Sequence, residues 1–219
     1  MNLRPCHRAL SCVLWDLDGT LVDSEPLYFK AISQICAEHG ADLGWDDYLR
    51  WVGESDRAVW RKLRRRHQIP LTCAQFTDAV AQRYCRMLKN LKCRPGVQDV
   101  VATLSARGIP QAVVSNAARS VVMANLRTVG LGQAFAFAVC GDDVRNHKPH
   151  PEPYVTAMRR LGRAPDECLV IEDSEVGVRS GCSAGATVVT WSSLHHAPNW
   201  GAALIVTRIA DILDHEFRT

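Results

Sequence analysis

The chain has 219 residues, 47% of them hydrophobic, enough for one sizeable domain or for one domain carrying a smaller insert. Its 26 basic residues nearly balance 23 acidic ones, and the net +3 makes no case for a nucleic-acid or membrane binder, while a small anionic substrate stays compatible. Nine cysteines, scattered and never paired as Cys-x-x-Cys, argue against a disulfide framework and for reduced, mostly buried thiols in a cytoplasmic protein.

Basic residues precede the first apolar run, in MNLRPCHRALSCVLWDLD. Asp16 and Asp18 interrupt it too early for a signal peptide, and no later stretch approaches a membrane span. The run CVLW (12–15) reads as a buried strand. Residues 26–91 then hold no convincing strand; Leu27, Ala31 and Ile35 keep helical spacing, as do Trp60 and Leu63, so this stretch reads as a helical insertion. Its basic run RKLRRRHQ (61–68) reads as the solvated face of a cap helix rather than a nucleic-acid patch. Val97, Val100, Val101 and Leu104 predict a helix that Gly108 stops, and Ile109-Pro110 leads into the next strand. Apolar runs follow at QAVVSN (111–116), AFAVC (136–140), CLVIED (168–173), ATVVTW (186–191) and ALIV (203–206). Their unbroken apolar character suits strands buried on both faces.

Strands alternating with helices predict an α/β fold with a doubly wound parallel sheet. Its core is expected in residues 1–25 and 92–219, and its helical cap in residues 26–91. The insertion follows the first strand directly, so it sits over the C-terminal edge where open α/β sheets bind ligands, and it is a candidate lid.

Polar residues stand at the ends of four strands: Asp16 and Asp18, Ser115 and Asn116, Lys148 shortly after the third, and Glu172 with Asp173. Parallel strands carry those ends to one edge, so residues distant in sequence converge in one crevice. Clustered carboxylates repel unless a cation neutralises them, and all-oxygen ligands favour a hard ion such as Mg²⁺. Lys148 and Ser115 suit the remaining oxygens of a phosphate. Taken singly, each has a plainer reading: an acidic turn, a strand-end serine, a solvated lysine, a helix N-cap at Asp173 or Ser174. Their joint order overrides those readings. An EF-hand is excluded, because Gly19 comes too early and a strand precedes the loop.

In these residues the chain resembles the haloacid dehalogenase (HAD) superfamily of phosphotransferases, in its branch with a helical cap inserted after the first strand. DLDGTLVDSEP resembles the family's first motif, VVSN its second, KPHPEPY its third and IEDSEVGVRSGCSAG its fourth, in the family's order. The resemblance covers nearly the whole chain and implies a Rossmann-like core. It implies that Asp16 is the nucleophile that forms an aspartyl-phosphate, and Asp18 the general acid and base. It also implies Mg²⁺ held by Asp16, the main-chain carbonyl of Asp18, and Asp173, with Glu172 close by, directly or through water. Ser115, Asn116 and Lys148 would bind phosphate, and Gly19 would let the backbone turn sharply. His147 precedes the lysine where the family often has glycine, so an imidazole is expected in that loop, near the rim of the site.

Two acceptors fit the motifs, water in a phosphatase and a sugar hydroxyl in a β-phosphoglucomutase-like enzyme. A mutase needs cationic cap groups for the distal phosphate. In WVGESDRAVW, Gly53 matches a glycine of the family's substrate-facing loop. Glu54 and Asp56 are acidic, and Arg57 is displaced by one position from the arginine of such mutases. The expectation is a phosphatase for a small phosphate monoester, a sugar phosphate or phosphoglycolate, with Gly53 and Arg57 as substrate contacts. Dehalogenation is disfavoured, since that chemistry lacks the second aspartate, here Asp18. An idle phosphate-binding regulator would have lost a motif residue, and none is lost. His195 and His196 have no spaced partner and read as loop residues. A site complete within one chain predicts a monomer whose partner is a small phosphorylated metabolite.

Overall fold

The computed structural model describes residues 10–52, 54–192 and 198–214. Strand β1 (Cys12–Trp15) is buried at every position, as its apolar run requires. The chain then leaves the sheet for α1 (Glu25–Glu38), α2 (Trp45–Leu49), α3 (Asp56–His67) and α4 (Cys73–Met87). It returns through α5 (Val97–Ala106), β2 (Gln111–Val114), α6 (Arg119–Thr128), β3 (Ala138–Val139) and α7 (Glu152–Leu161). β4 (Cys168–Glu172), α8 (Glu175–Ser183), β5 (Thr187–Trp191) and β6 (Leu204–Val206) follow. All strand pairs are parallel, in the order β3-β2-β1-β4-β5-β6. With β1 in the middle, the chain winds outward first to one side and then to the other. The ends of β1 and β4 flank the point where the winding reverses, which is where such sheets open a crevice.

Alternation along the strands divides the core between two faces. Val13 and Trp15 share an apolar cluster with Val101 and Leu104 of α5 and Val122 of α6. Cys12 and Leu14 share another with Tyr154 and Met158 of α7 and Val178 of α8. β3 uses only Ala138 and Val139 of the longer AFAVC run, because it lies at the edge with β2 as its one strand partner.

The inserted helices bury a cluster of their own. Ile32 and Ile35 of α1, Val59 and Leu63 of α3, and Phe76, Val80 and Tyr84 of α4 form it, and Val121 of α6 joins it from the core. Sequence spacing picks out α1 and α3; it passes over the five-residue α2 and over α4, whose Phe76, Val80 and Tyr84 recur every fourth residue. Thr72 and Gln75 start α4 with a reciprocal capping box, and Ser55 caps α3 by accepting from the Ala58 N–H. The last turn of α3 carries Arg64, Arg65, Arg66 and His67, where positive charge favours the helix dipole, and Arg66 pairs with Asp47 at 2.7 Å.

All the described cysteines are free thiols. Cys12 and Cys168, opposite each other on β1 and β4, hold their sulfurs 3.1 Å apart. Among the described residues, no helix is long and apolar enough to cross a membrane.

Candidate active site

Asp16 follows β1 directly, and its main-chain N–H donates to the Ile171 carbonyl at 3.0 Å, which places it beside the end of β4. Gly19 turns the loop with φ +82°, and a Cβ there would stand 2.0 Å from Asp173 Oδ2. Glycine thus satisfies both the backbone angle and the close approach. Thr20 donates its hydroxyl to Asp173 Oδ1 at 3.2 Å. Asp16, Glu172 and Asp173 converge, each offering an oxygen within 4.8 Å of the others.

Lys148 supplies the counter-charge. Its ammonium donates to Asp16 Oδ1 at 2.7 Å, Glu172 Oε1 at 2.7 Å and the Val114 carbonyl at 2.8 Å, which uses all three protons. Burial pulls the lysine pKa down, but Asp16 and Glu172 outweigh it and leave Lys148 above the ordinary range. Glu172 is fully buried and also accepts from Tyr154 at 2.6 Å and Ser174 at 3.2 Å. A Cβ on Gly177 would fall 1.9 Å from that carboxylate, so α8 packs on Glu172 only through a glycine.

Three carboxylates facing one ammonium leave a deficit of positive charge. Burial, followed by the Glu172 charge, pushes the Asp16 carboxyl well above its usual range. Burial, followed by Asp16 and Glu172, does the same to Asp173. A hard divalent cation relieves such a cluster, and the all-oxygen donor set fits Mg²⁺. Lys148 engages only Oδ1 of Asp16, and Thr20 only Oδ1 of Asp173, so each keeps an oxygen for an ion. Glu172 is occupied by donors at both oxygens, which suits it to fixing Lys148.

Asp18 has different neighbours. Its Oδ1 accepts from Ser24 at 2.6 Å and its Oδ2 from Ser115 at 3.3 Å; burial raises its pKa although both hydrogen bonds oppose the rise. The Ser115 oxygen accepts from the Ala117 N–H at 3.0 Å, and Asn116 Oδ1 accepts from the Lys148 N–H at 2.9 Å. Those bonds tie the end of β2 to the lysine loop.

Asp16, Asp18, Ser115, Asn116 and Lys148 line the floor of one cavity of about 60 Å³. Its roof is Glu25, Tyr28, Tyr48, Trp51, Glu54 and Asp56, all from the inserted segment or its entrance. The volume holds only a few water molecules. Arg57 is exposed and does not line this cavity, because successive residues of a helix point about 100° apart and Asp56 takes the inward position. Gly53, His195 and His196 lie outside the described residues. His147 is not part of the lining; its Nδ1 is buried without a hydrogen-bond partner, and its Cε1 would lie 3.1 Å from a Cβ on Gly141.

Residues 13–191 match the family model described as haloacid dehalogenase-like hydrolase. The chain belongs to this family. It is a phosphoric monoester hydrolase, and several of the curated relatives that it matches are named as phosphatases. It is 30% identical over 197 residues to the phosphorylated carbohydrates phosphatase of Thermotoga maritima, covering 90% of each chain. It is 29% identical over 221 residues to the phosphoglycolate phosphatase of Escherichia coli K12, covering 88% of this chain and 84% of that one. Among solved structures, the putative beta-phosphoglucomutase of Thermotoga maritima superposes with a TM-score of 0.75 at 28% identity, over 94% of this chain and 99% of that one. CbbY from Rhodobacter sphaeroides, in complex with phosphate, gives a TM-score of 0.85 at 24% identity over 93% and 96% of the two chains, a likeness of fold.

Within this haloacid dehalogenase-like fold, several residues of the site escape sequence reading. Tyr154 and Gly177 stand inside the quoted KPHPEPY and IEDSEVGVRSGCSAG stretches, but nothing in the linear sequence marks either as a neighbour of Glu172. Ser24 and Glu25 stand in the quoted DSEP stretch, which reads as a strand exit; only the fold aims Ser24 at Asp18 and Glu25 at the cavity.

Proposed function

We propose that this hydrolase cleaves a small phosphate monoester through an aspartyl-phosphate on Asp16, with Mg²⁺ held by Asp16, Asp173 and the main-chain carbonyl of Asp18. The observation that carries the reading is the unlike treatment of two neighbouring aspartates. Asp16 accepts from the Lys148 ammonium at 2.7 Å, whereas Asp18 accepts only from the hydroxyls of Ser24 and Ser115. The first suits a nucleophile and the second an acid.

An Asp16 oxygen attacks phosphorus, the ester P–O bond breaks, and the Asp18 carboxyl gives its proton to the departing alkoxide. The Asp18 carboxylate then takes a proton from water as the water oxygen attacks phosphorus. The bond from Asp16 to phosphorus breaks and inorganic phosphate leaves. Ser24 orients Asp18, Ser115 and Asn116 meet the phosphoryl oxygens, and Lys148, fixed by Glu172, turns the proton it gives Asp16 to a phosphoryl oxygen once Asp16 is esterified. A bound Mg²⁺ supplies Lewis-acid charge to the transferring phosphoryl group.

Residues 26–91 act as a lid on the core formed by 1–25 and 92–219. The two crossings lie side by side, with the Asp23 N–H donating to the Lys92 carbonyl at 3.0 Å, and substrate enters when the cap opens about them. The names of the relatives support a sugar phosphate or phosphoglycolate as substrate type. Water is the acceptor we favour over a sugar hydroxyl. Among the described residues lining the cavity, Lys148 is the only cation, and it is committed to two carboxylates, so none is left for the distal phosphate of a mutase intermediate. We take the working form to be a cytoplasmic monomer.

Turnover of p-nitrophenyl phosphate with and without Mg²⁺ tests the reading. Metal-dependent release by the wild type and its loss in Asp16→Asn are expected; no turnover by clean protein, or turnover unaffected by Asp16→Asn, overturns it. With β-glucose 1-phosphate and a bisphosphate primer, free phosphate is expected, and accumulation of glucose 6-phosphate assigns the mutase reaction instead.

A further inference from the structure

One side chain of the core meets both members of the buried Lys148–Glu172 pair, and the steps above give it no part. Tyr154 stands on the buried face of α7 beside Pro153, Ala157 and Met158. It is fully buried and packs in one apolar cluster with Leu14, Val139 and Met158. That cluster asks only for a ring, which a phenylalanine would supply as well. The hydroxyl is the exception on an apolar face, and a buried hydroxyl without a partner costs free energy. Here it donates to Glu172 Oε1 at 2.6 Å, while the Lys148 ammonium lies over the same ring, 4.9 Å from its centroid.

Both donors use one oxygen. Glu172 Oε1 accepts from Tyr154 and from Lys148, and Oε2 accepts from Ser174 at 3.2 Å. Lys148 stands 2.7 Å from an oxygen of each of two carboxylates, Asp16 and Glu172, so its place between them depends on how strongly each pulls. The tyrosine proton takes up part of the charge on Oε1 and fixes the plane of the carboxylate. Without it, Oε1 faces the ammonium alone and draws it off Asp16, and the longer bond from Ser174 is the other one that holds the glutamate.

We infer that Tyr154 is a positioning residue: by fixing Glu172, its hydroxyl keeps the Lys148 ammonium aimed at Asp16 and, once Asp16 is esterified, at the phosphoryl oxygen. The inference rests on the phosphatase reading and deepens it by naming what aims the lysine of that site. Tyr154 does not line the cavity, so it acts through Glu172 and Lys148 and prefers no leaving group over another. Ser115 and Asn116 meet the phosphate before the lysine turns to it, so a loss of aim is felt in the transition state more than in the bound substrate.

Tyr154→Phe tests this, because it keeps the ring beneath the ammonium and removes only the hydroxyl. Steady-state kinetics with Mg²⁺ are compared for p-nitrophenyl phosphate and phenyl phosphate, at a temperature where circular dichroism shows both proteins fully folded. A fall in kcat of about tenfold, the size of a hydrogen bond to a charged group, is expected for both esters, with KM held within about twofold. Unchanged kcat, a loss carried by KM, or a loss confined to one ester overturns the inference and leaves the phosphatase reading standing. A variant that does not fold, or in which only the melting midpoint falls, overturns it too, since the hydroxyl then serves packing. No turnover of either ester by the wild type overturns the phosphatase reading and this inference with it.

Discussion

Core and cap present carboxylates to one cavity and treat them in opposite ways. In the core, Glu172 is fully buried, yet it accepts from Lys148, Tyr154 and Ser174, and Lys148 is itself spent on three acceptors. In the cap, Asp56 faces the same space with no donor, and Glu25 has only a tyrosine hydroxyl. A carboxylate saturated within the chain is positioned for chemistry that is the same for every substrate. One left unsaturated is available to whatever enters. The difference teaches that a fully buried carboxylate such as Glu172 needs donors from its own chain, whereas the half-buried Asp56 does without them because solvent reaches it.

The most direct way to break this division is Asp16→Asn. It should cost at least about 10⁴-fold in kcat toward every monoester, since it removes the attacking group. Steady-state assays across an ester series would show whether the loss is uniform, and a loss confined to some esters would contradict a purely catalytic role for the core. Gly177→Ala should come next. The added Cβ lands 1.9 Å from the Glu172 carboxylate, and such overpacking costs about 1–3 kcal/mol. Denaturant melts should show that destabilisation, with a fall in kcat as Lys148 loses its mooring; an unchanged midpoint would mean that α8 yields freely.

A smaller effect is expected from the cap. Burial raises Glu25 to about 7 and Asp56 to about 6, so the folded state holds their protons more tightly than the unfolded chain does. Their contribution to stability is therefore complete below the ordinary carboxylate range and is lost as pH rises through about 6 and about 7. Thermal melts of metal-free protein between pH 4 and 8 should show a decline to which the raised core carboxylates also contribute, and Glu25→Gln with Asp56→Asn should make it shallower; equal slopes would remove the cap carboxylates from the account. Least of all, Arg57→Ala should keep kcat/KM within about twofold, as for an exposed side chain outside the cavity. A loss well beyond that would place Arg57 over the substrate in an open form of the cap.

Much of the core is legible in the linear chain, because a strand buried on both faces needs an unbroken apolar run, and CVLW, QAVV and CLVI are such runs. Asp16, Lys148 and Glu172 are legible for a related reason: each is a charge at or beyond the end of an apolar run, where only a functional edge tolerates it. The partners that hold them are less so. Tyr154 looks like one more apolar residue of α7, and only packing brings its hydroxyl 2.6 Å from Glu172. The cap is harder to read, since helical spacing gives the apolar face of α1 or α3 but not which polar residue at its start turns inward. A shift of one position separates Asp56 in the wall from Arg57 in solvent.

By itself, then, the sequence determined the alternation of strand and helix, the insertion after the first strand, and the polar residues that parallel strands must deliver to one edge. These follow from local periodicity and from the direction of the strands. Tertiary structure alone decided that Glu172 is saturated while Asp56 is not, and that the roof of the cavity is acidic and aromatic. Saturation of a buried charge depends on donors brought from distant elements, Tyr154 from α7 and Lys148 from the loop before it, and their arrival is a property of packing rather than of neighbours along the chain.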